Sequence, residues 1–512
     1  MKANGSKLKR LLQYSNNGQI YLKLLKPINK LIDYFGPTRR LYYLSKAKRL
    51  TKYFEASYKS SPDAEHAQFP PDERVECPSI WMAELFTPST LKGLNKGLKI
   101  FDEEKFSTPS SKLEKWLKDT REGKSAGWIN LHTISLDKSY NPLKVGGLPR
   151  PHPHIYQVTM SLTSISTSLT LLNLRFDFDT EYYSVLENSM REREKSKYEK
   201  THKRSPLKLI RYILFGGNQL HNRSMPSHSV MKERAYCLEI GGIEKKCAIW
   251  IKNFFPGFFS LSGVNHYPRV GLYITDKRAP FTSDMDKQNA FLGPGFDNQY
   301  SVYTMNHYSN VRFTQTTDKY NDTRRLNFAC RRNDVELMSG FSDTEEDASS
   351  LLICGHLEHG IVKLMTSWTF SRFLDTCREV LAKKRDLAAA NQSFSTLKNL
   401  KELRELTQYS LYDIELACRD ITKLSSDNFF LQEHASAEHF SCGEKKGTLA
   451  GYYKIMFKEK GEQIIEETKT FLEMMKTVTG LTQNISTARL QRVILLISIS
   501  SLCVALIAFF AK

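Results

Sequence analysis

Hydrophobic positions along this chain keep one period in its middle and another towards its end. In the middle the period is two. Leu172, Leu174, Phe176 and Phe178 alternate with Asn173, Arg175, Asp177 and Asp179, which predicts a half-buried strand with its polar positions on the other face. Strand-like runs at Tyr236–Ile240, Lys246–Ile251, Val270–Thr275 and Tyr300–Thr304 extend this into a sheet-containing α+β domain over 154–350, mainly antiparallel. From about Ile361 the period lengthens to that of a helix. Phe373–Ala390 predicts one helix and Thr396–Leu424 a second, with Leu400, Leu403, Leu406, Leu411, Ile414, Ala417, Ile421 and Leu424 along its inner face.

A third helix is predicted from Thr448 onward, interrupted only by Gly451, Gly461 and Gly480. Leu449, Tyr452, Met456, Ile464, Phe471, Met474, Val478, Leu481 and Ile485 form a heptad-like seam, with Lys460 and Glu467 as charged members. Such a coiled-coil pattern suits packing on the two preceding helices or self-association. It leads straight into Val493–Ala511, VILLISISSLCVALIAFFA, a run without charge, proline or glycine. At about 1.5 Å per residue this helix spans roughly 28 Å, close to the ~30 Å hydrocarbon core of a bilayer. Inside it, Ser498, Ser501, Ala505 and Ala508 make a small-residue stripe of the kind along which membrane helices pack. Projected along one straight helix, the stripe falls nearly opposite the seam. Either the helix breaks near Gly480–Thr487, or the two faces serve different contacts.

Arg489 and Arg492 precede the run and Lys512 follows it, a balance that places the body on the cytosolic side of a single-pass, tail-anchored protein, at the inner membrane if bacterial. No signal peptide follows the basic residues Met1–Arg10. All eighteen prolines lie between Pro27 and Pro294, which divides a loop-rich body from a helical C-terminal region. Linker-like stretches run from Ser60 to Glu76 and from Asn141 to Pro153. The expected organisation is a basic helical segment (1–60), a mixed proline-containing region (61–153), the α+β domain (154–350), a helical region (361–445), a stalk helix (446–491) and one transmembrane helix (493–511). An α/β body, long helices and a stalk entering a membrane resemble CorA-type magnesium channels in outline, over the C-terminal helices alone. That family's Gly-Met-Asn signature and second span have no counterpart before Lys512, so no pore or metal residue is carried over.

Composition excludes a disordered chain: 40% of the 512 residues are hydrophobic and 11% aromatic. The net charge of +19 is uneven, because residues 1–60 hold fourteen Lys and Arg against Asp33 and Glu55. Within that segment Leu22, Leu25, Ile28, Ile32 and Phe35 recur at helical spacing among Lys23, Lys26 and Lys30. It suits a helical cap on the body, an anionic lipid surface or nucleic acid as partner. A second basic block, Arg191–Arg211, interleaves Glu192, Glu194 and Glu199 and reads as a solvated helix face. The nine cysteines are scattered without a CxxC pair, as in a reducing compartment, which makes the sequons at Asn222, Asn321, Asn391 and Asn484 chance matches.

Catalytic and cofactor motifs are scarce. The chain has no GxxxxGK[ST], GxGxxG, GxSxG or HExxH, and no cofactor is expected. Gly293-Pro294-Gly295 is a turn, and Pro226 disrupts the helix that a paired Arg223 and His228 would need. Two imidazole clusters offer metal-type donors: Cys354, His356, Glu358 and His359 in one, Glu433, His434, Glu438, His439 and Cys442 in the other. His434 and His439, five apart, diverge on a helix, and structural histidines are the simpler account. Weaker candidates are His152 with His154 in the proline linker, and Asp177 with Asp179 on the strand.

These features point to a non-enzymatic membrane protein whose cytosolic body senses or binds a ligand. Homo-oligomerisation would then act on the lipid bilayer, as in membrane-disrupting antiviral defence effectors. The rival classes are a membrane-tethered metal-dependent enzyme and a nucleic-acid-binding protein displayed at the membrane.

Overall fold

The structure, a computed structural model, describes residues 69–102, 110–124, 127–136, 149–191, 228–263, 265–282, 294–296, 301–318, 323–339, 350–390, 411–440 and 447–510. The basic segment 1–60, the basic block beyond Arg191, Arg223, most of both linkers, residues 396–410 of the second helix, and Cys442 lie outside the described residues. The chain divides into two compact units, Met1–Gln68 with Arg193–Met231, and Phe69–Glu192 with Lys232–Lys512. Of the first, only 228–231 are described.

Along the chain the elements are β1 (Val75–Phe86), α1 (Leu91–Asp102), α2 (Ser110–Arg121), β2 (Gly127–Ser135), β3 (Ile155–Ser164), β4 (Thr170–Phe178), α3 (Thr180–Arg191), α4 (His228–Phe254), α5 (Phe258–Ser262) and β5 (Arg269–Thr275). There follow β6 (Val302–Met305), β7 (Tyr308–Asp318), β8 (Thr323–Arg331), α6 (Arg332–Ser339), α7 (Ser350–Ala390), α8 (Tyr412–Leu424), α9 (Asn428–His434), β9 (Ala437–Phe440) and α10 (Leu449–Phe510). The nine strands form one sheet in the order β2-β3-β4-β1-β5-β8-β7-β6-β9. Every neighbouring pair is antiparallel except β5 with β8, where Arg269 is in register with Arg325 and Leu272 with Phe328. The fold is mixed α+β with a mainly antiparallel sheet and a helical C-terminal region. Its strands draw on several of the sequence-based segments: β1 and β2 lie in the mixed region 61–153, and β9 in the region expected to be helical.

β4 is buried along its whole length, so its polar face is not the solvent face that alternation predicts. Phe176 packs on Trp250 of α4 and Phe178 on Tyr182 of α3, which puts both helices on one face. Arg175 and Asp177 point to the other face, where Glu358 and Cys354 of α7 meet them. The middle of α7 is itself buried, from Ile361 through Cys377 with few breaks, and Phe370 of α7 touches Phe430 of α9 and Phe457 of α10. Tyr236–Ile240 and Lys246–Ile251, expected as strands, belong to α4. Its buried positions, Tyr236, Ile240, Ile243, Cys247 and Ile251, step by three and four. Runs of five or six residues are too short to separate that period from two. β1 holds Pro78, which is tolerated because the register with β5 shifts between Glu76 and Ser79, a bulge that spares the missing N–H.

Stalk and apolar run form one uninterrupted helix, with no break at Gly480–Thr487. Its first part lies on α7 and α8, burying Leu449, Tyr453, Met456, Phe457, Ile464 and Phe471. At Gly461 a Cβ would come 2.3 Å from Thr422 Oγ1 of α8, so glycine is what allows that approach. Tyr452, expected on the seam, is exposed, and Tyr453 takes its place. Among the described residues no helix is long and apolar enough to cross a membrane. The described side chains of the apolar run end at Ser501.

At the parallel seam, Glu244 of α4 accepts from Arg325 Nε at 2.6 Å and Nη2 at 2.8 Å, and from Arg269 Nη1 at 3.0 Å. All three side chains are buried. Glu244→Gln removes the carboxylate charge that two adjacent buried guanidinium groups share and is expected to cost about 3–5 kcal/mol. Urea unfolding checks this, and a loss under 1 kcal/mol would mean that the triad behaves like an exposed ion pair.

Candidate functional site

Chemistry-bearing side chains gather at the end of the sheet where β3 begins and β4 finishes. Asp179 follows β4 and caps α3, accepting from Tyr182 N at 2.9 Å. His154, just before β3, places Nδ1 at 3.1 Å from Asp179 Oδ2. The His154 ring lies against His152 and Tyr182, with centroids 5.3 and 5.7 Å away. Glu181 of α3 completes a trio: donor atoms of His154, Asp179 and Glu181 all lie within 4.8 Å of one another. Among the described residues this is the one group of three or more such donors close enough to share an ion. One imidazole and two carboxylates suit a borderline or hard divalent cation. Equally, the cap and the His–Asp bond satisfy two of the three without one. Burial, followed by the nearby Lys246 charge, lowers the pKa of His152.

A second polar layer runs inward. Asp177 accepts from Ser79 Oγ at 2.5 Å, Gln157 Nε2 at 2.6 Å and Arg175 Nε at 2.9 Å, while Arg175 also reaches Glu358. Burial raises the pKa of Asp177 against the pull of Arg175 and the three donors. Cys354 Sγ lies 3.3 Å from Ser79 Oγ, and burial pushes that thiol well above its usual range. The result is a closed ionic network between sheet and helix, without an activated nucleophile.

The histidines that the sequence brought forward are distributed differently. The CGHLEHG cluster is split around α7: Cys354 and Glu358 face the sheet, while His356 turns to Tyr308, whose ring lies 5.4 Å away. His359 and His434 come near enough for their charges to interact, beside an ion pair of Lys363 with Glu433 at 3.2 Å. His434 packs on Phe430 and its Nδ1 lies 3.3 Å from Lys363 O, and burial lowers its pKa. His439 belongs to β9 and meets Tyr303 edge-on at 5.4 Å. His356, His359, His434 and His439 therefore do not converge on one point. Of the weaker candidates, His154 from the His152–His154 pair and Asp179 from the Asp177–Asp179 pair meet, while Asp177 belongs to the inner network.

Sequence reasoning passed over Glu84, Glu244, Arg269, Arg325 and Arg372. The available signal was a charge set inside an apolar strand or helix, as in IWMAELF and SWTFSRF. Glu84 is fully buried on β1 and accepts from Phe259 N at 2.7 Å, Ser260 N at 3.1 Å and Ser260 Oγ at 2.6 Å. Burial outweighs those donors and pushes its pKa from about 4.5 up to about 7.

In α10, Ser498 and Ser501 are exposed, and the side chains of Ala505, Ala508 and Ala511 lie outside the described residues. From Val493 to Ile499 the large apolar side chains are 48–65% exposed, on all sides of the helix. Comparison of the chain with family models, with characterised proteins and with solved structures gives no match.

Two outcomes follow from this geometry. Because the folded pKa of Glu84 is raised, its contribution to stability is complete below pH 4.5 and is lost as pH rises to about 7. The loss is about 3 kcal/mol. Glu84→Gln should flatten that part of the pH–stability curve, read from urea midpoints of both proteins at matched pH. Asp179→Ala should cost about 1 kcal/mol by uncapping α3, read by the same titration, and an unchanged midpoint would show that the cap contributes nothing.

Proposed function

We propose that this protein is a binding or sensing body held at a membrane by the end of α10, acting through self-association in the bilayer. The observation that supports it best is the collar of exposed apolar side chains from Val493 to Ile499, continuous with the helix buried against α7 and α8. An aqueous helix keeps a polar face, and one that is apolar all round belongs in protein or lipid. The sequence continues that character through Ala511. Arg489 and Arg492 on the body's side favour a cytosolic body. The basic segment 1–60 adds attraction to anionic lipid in this reading, at about 1 kcal/mol for each Lys or Arg near the surface.

A second reading, metal-dependent chemistry at the membrane, is favoured only by the trio of His154, Asp179 and Glu181. Stoichiometric divalent metal in protein purified without chelator, lost on His154→Ala, would move the assignment there.

Deleting Arg492–Lys512 should transfer the protein from the membrane pellet to the soluble fraction. Retention in the pellet through salt and carbonate washing would defeat the anchor, and release by salt alone would assign the remaining attachment to charge. Replacing Ser501 and Ala505 with leucine should leave insertion intact and reduce crosslinked oligomers, because close helix approach is lost while apolarity rises. An unchanged crosslinking pattern removes the stripe, and a wild-type monomer at native expression removes assembly.

A further inference from the structure

We propose that the cation cluster around Asp375, where β8, α7 and α10 meet, is a binding site for a phosphate-bearing anion. Asp375 of α7 receives Lys460 Nζ of α10 at 2.6 Å and Arg324 Nη1 of β8 at 2.7 Å. Arg372, one turn earlier on α7, places Nη1 at 3.7 Å, beyond hydrogen-bond length. Three cations from three elements share one carboxylate. The surroundings do not close the balance. Glu379, the next carboxylate acting on Arg372, is half exposed and faces His266 at 3.7 Å. Arg269, which also acts on Arg372, adds positive charge and already shares Glu244 with Arg325.

Arg372 is the member that points to a ligand. Its side chain is 4% exposed, and its Nε has no hydrogen-bond partner among the described residues. Burial depresses its pKa despite Asp375. Buried guanidinium nitrogens are usually bonded, and an unpartnered one on a side chain that belongs to a cationic cluster is a donor awaiting an acceptor. The rim is open, since Arg324 and Lys460 are 43% and 28% exposed. A carboxylate ligand would leave surplus positive charge. A phosphate group brings up to two charges and three oxygens, which suits two planar guanidinium groups and one ammonium approaching from different directions. Asp375 then acts as an internal competitor for the same donors. Because Lys460 belongs to α10, the ligand would bear on the helix that carries the apolar run. This gives a ligand class to the binding body proposed above, and membrane release of the truncated chain tests that reading separately.

The test uses the full chain in detergent, with inorganic phosphate titrated against chloride at matched ionic strength and followed by thermal unfolding and calorimetry. Saturable stabilisation by phosphate is expected. Lys460→Gln and Arg324→Gln, both at the rim, should each weaken it roughly tenfold or more. Asp375→Asn should lose stability in chloride, regain it in phosphate and bind phosphate more tightly than wild type. Stabilisation that is absent in wild type, undiminished from wild type in both rim variants, or weakened by Asp375→Asn overturns the site. Dioctanoyl phosphatidic acid, used as a competitor, separates the sources: displacement of phosphate assigns a lipid headgroup, and failure to displace it assigns a soluble phosphate compound.

Discussion

Glu244 of α4 bonds a strand on each side of the parallel seam, Arg269 of β5 and Arg325 of β8. On one side of the parallel seam stand β2, β3, β4, β1 and β5, on the other β8, β7, β6 and β9. Arg269 and Arg325 sit side by side across it, an arrangement that repels unless an anion lies between them. A buried ion cluster is seldom more stable than a well-packed apolar substitute, because desolvation takes back most of the Coulomb gain. Its value here is register. A slip of one residue would turn Arg325 away from α4 and bring Leu326 or Arg324 beneath it, breaking two bidentate or charged contacts at once. Glu244 thus fixes which residues of β5 and β8 meet, and the side chains on both faces depend on that choice.

The opposite face repeats the problem with a different answer. Arg324, next to Arg325, points to α7, where Asp375 receives it together with Lys460. Where Glu244 is enclosed, Asp375 is reached from solvent past two partly exposed cations, and one buried guanidinium remains under-bonded. The same charged pair in the sequence therefore feeds a closed structural triad and an open cationic site. A strand alternates its neighbours between faces, so consecutive arginines serve opposite sides of one sheet.

What the sequence made legible was period, wherever a run was long enough. α10, the helix at Tyr412–Leu424 and the strands at β4 and β5 follow from it. β1 did not, because Pro78 and the acidic stretch before it look like linker, and only pairing with β4 and β5 shows the bulge that accommodates the proline. α4 was hidden by short β-like windows. β9 was hidden because four residues in a helical context hold no period at all. For the site, residue types were visible and partners were not. His154 and Asp179 stand 25 residues apart in sequence, and antiparallel pairing of β3 with β4 is what joins them. The imidazoles of CGHLEHG looked joined because they are near in sequence, yet a helix turns neighbours away from each other.

The seam of α10 also resolves differently from a free coiled coil. Leu449, Met456, Ile464 and Phe471 are used inside the chain, on α7 and α8, so that part of the heptad pattern encodes docking of the helix to its own body. Lys460, a poor residue for a dimer seam, is at home there because Asp375 receives it. The helix then runs on without a break. At about 3.6 residues per turn, Ser498 lies roughly half a turn around from Phe471. The small-residue stripe thus begins on the side facing away from the docked seam, and contacts made along it do not compete with the packing that holds α10 to the body. A continuous helix with its two faces assigned to different contacts is mechanically a lever. Whatever alters the grip of Arg324, Arg372 and Lys460 near its root acts on the same rigid element whose far end presents the apolar collar.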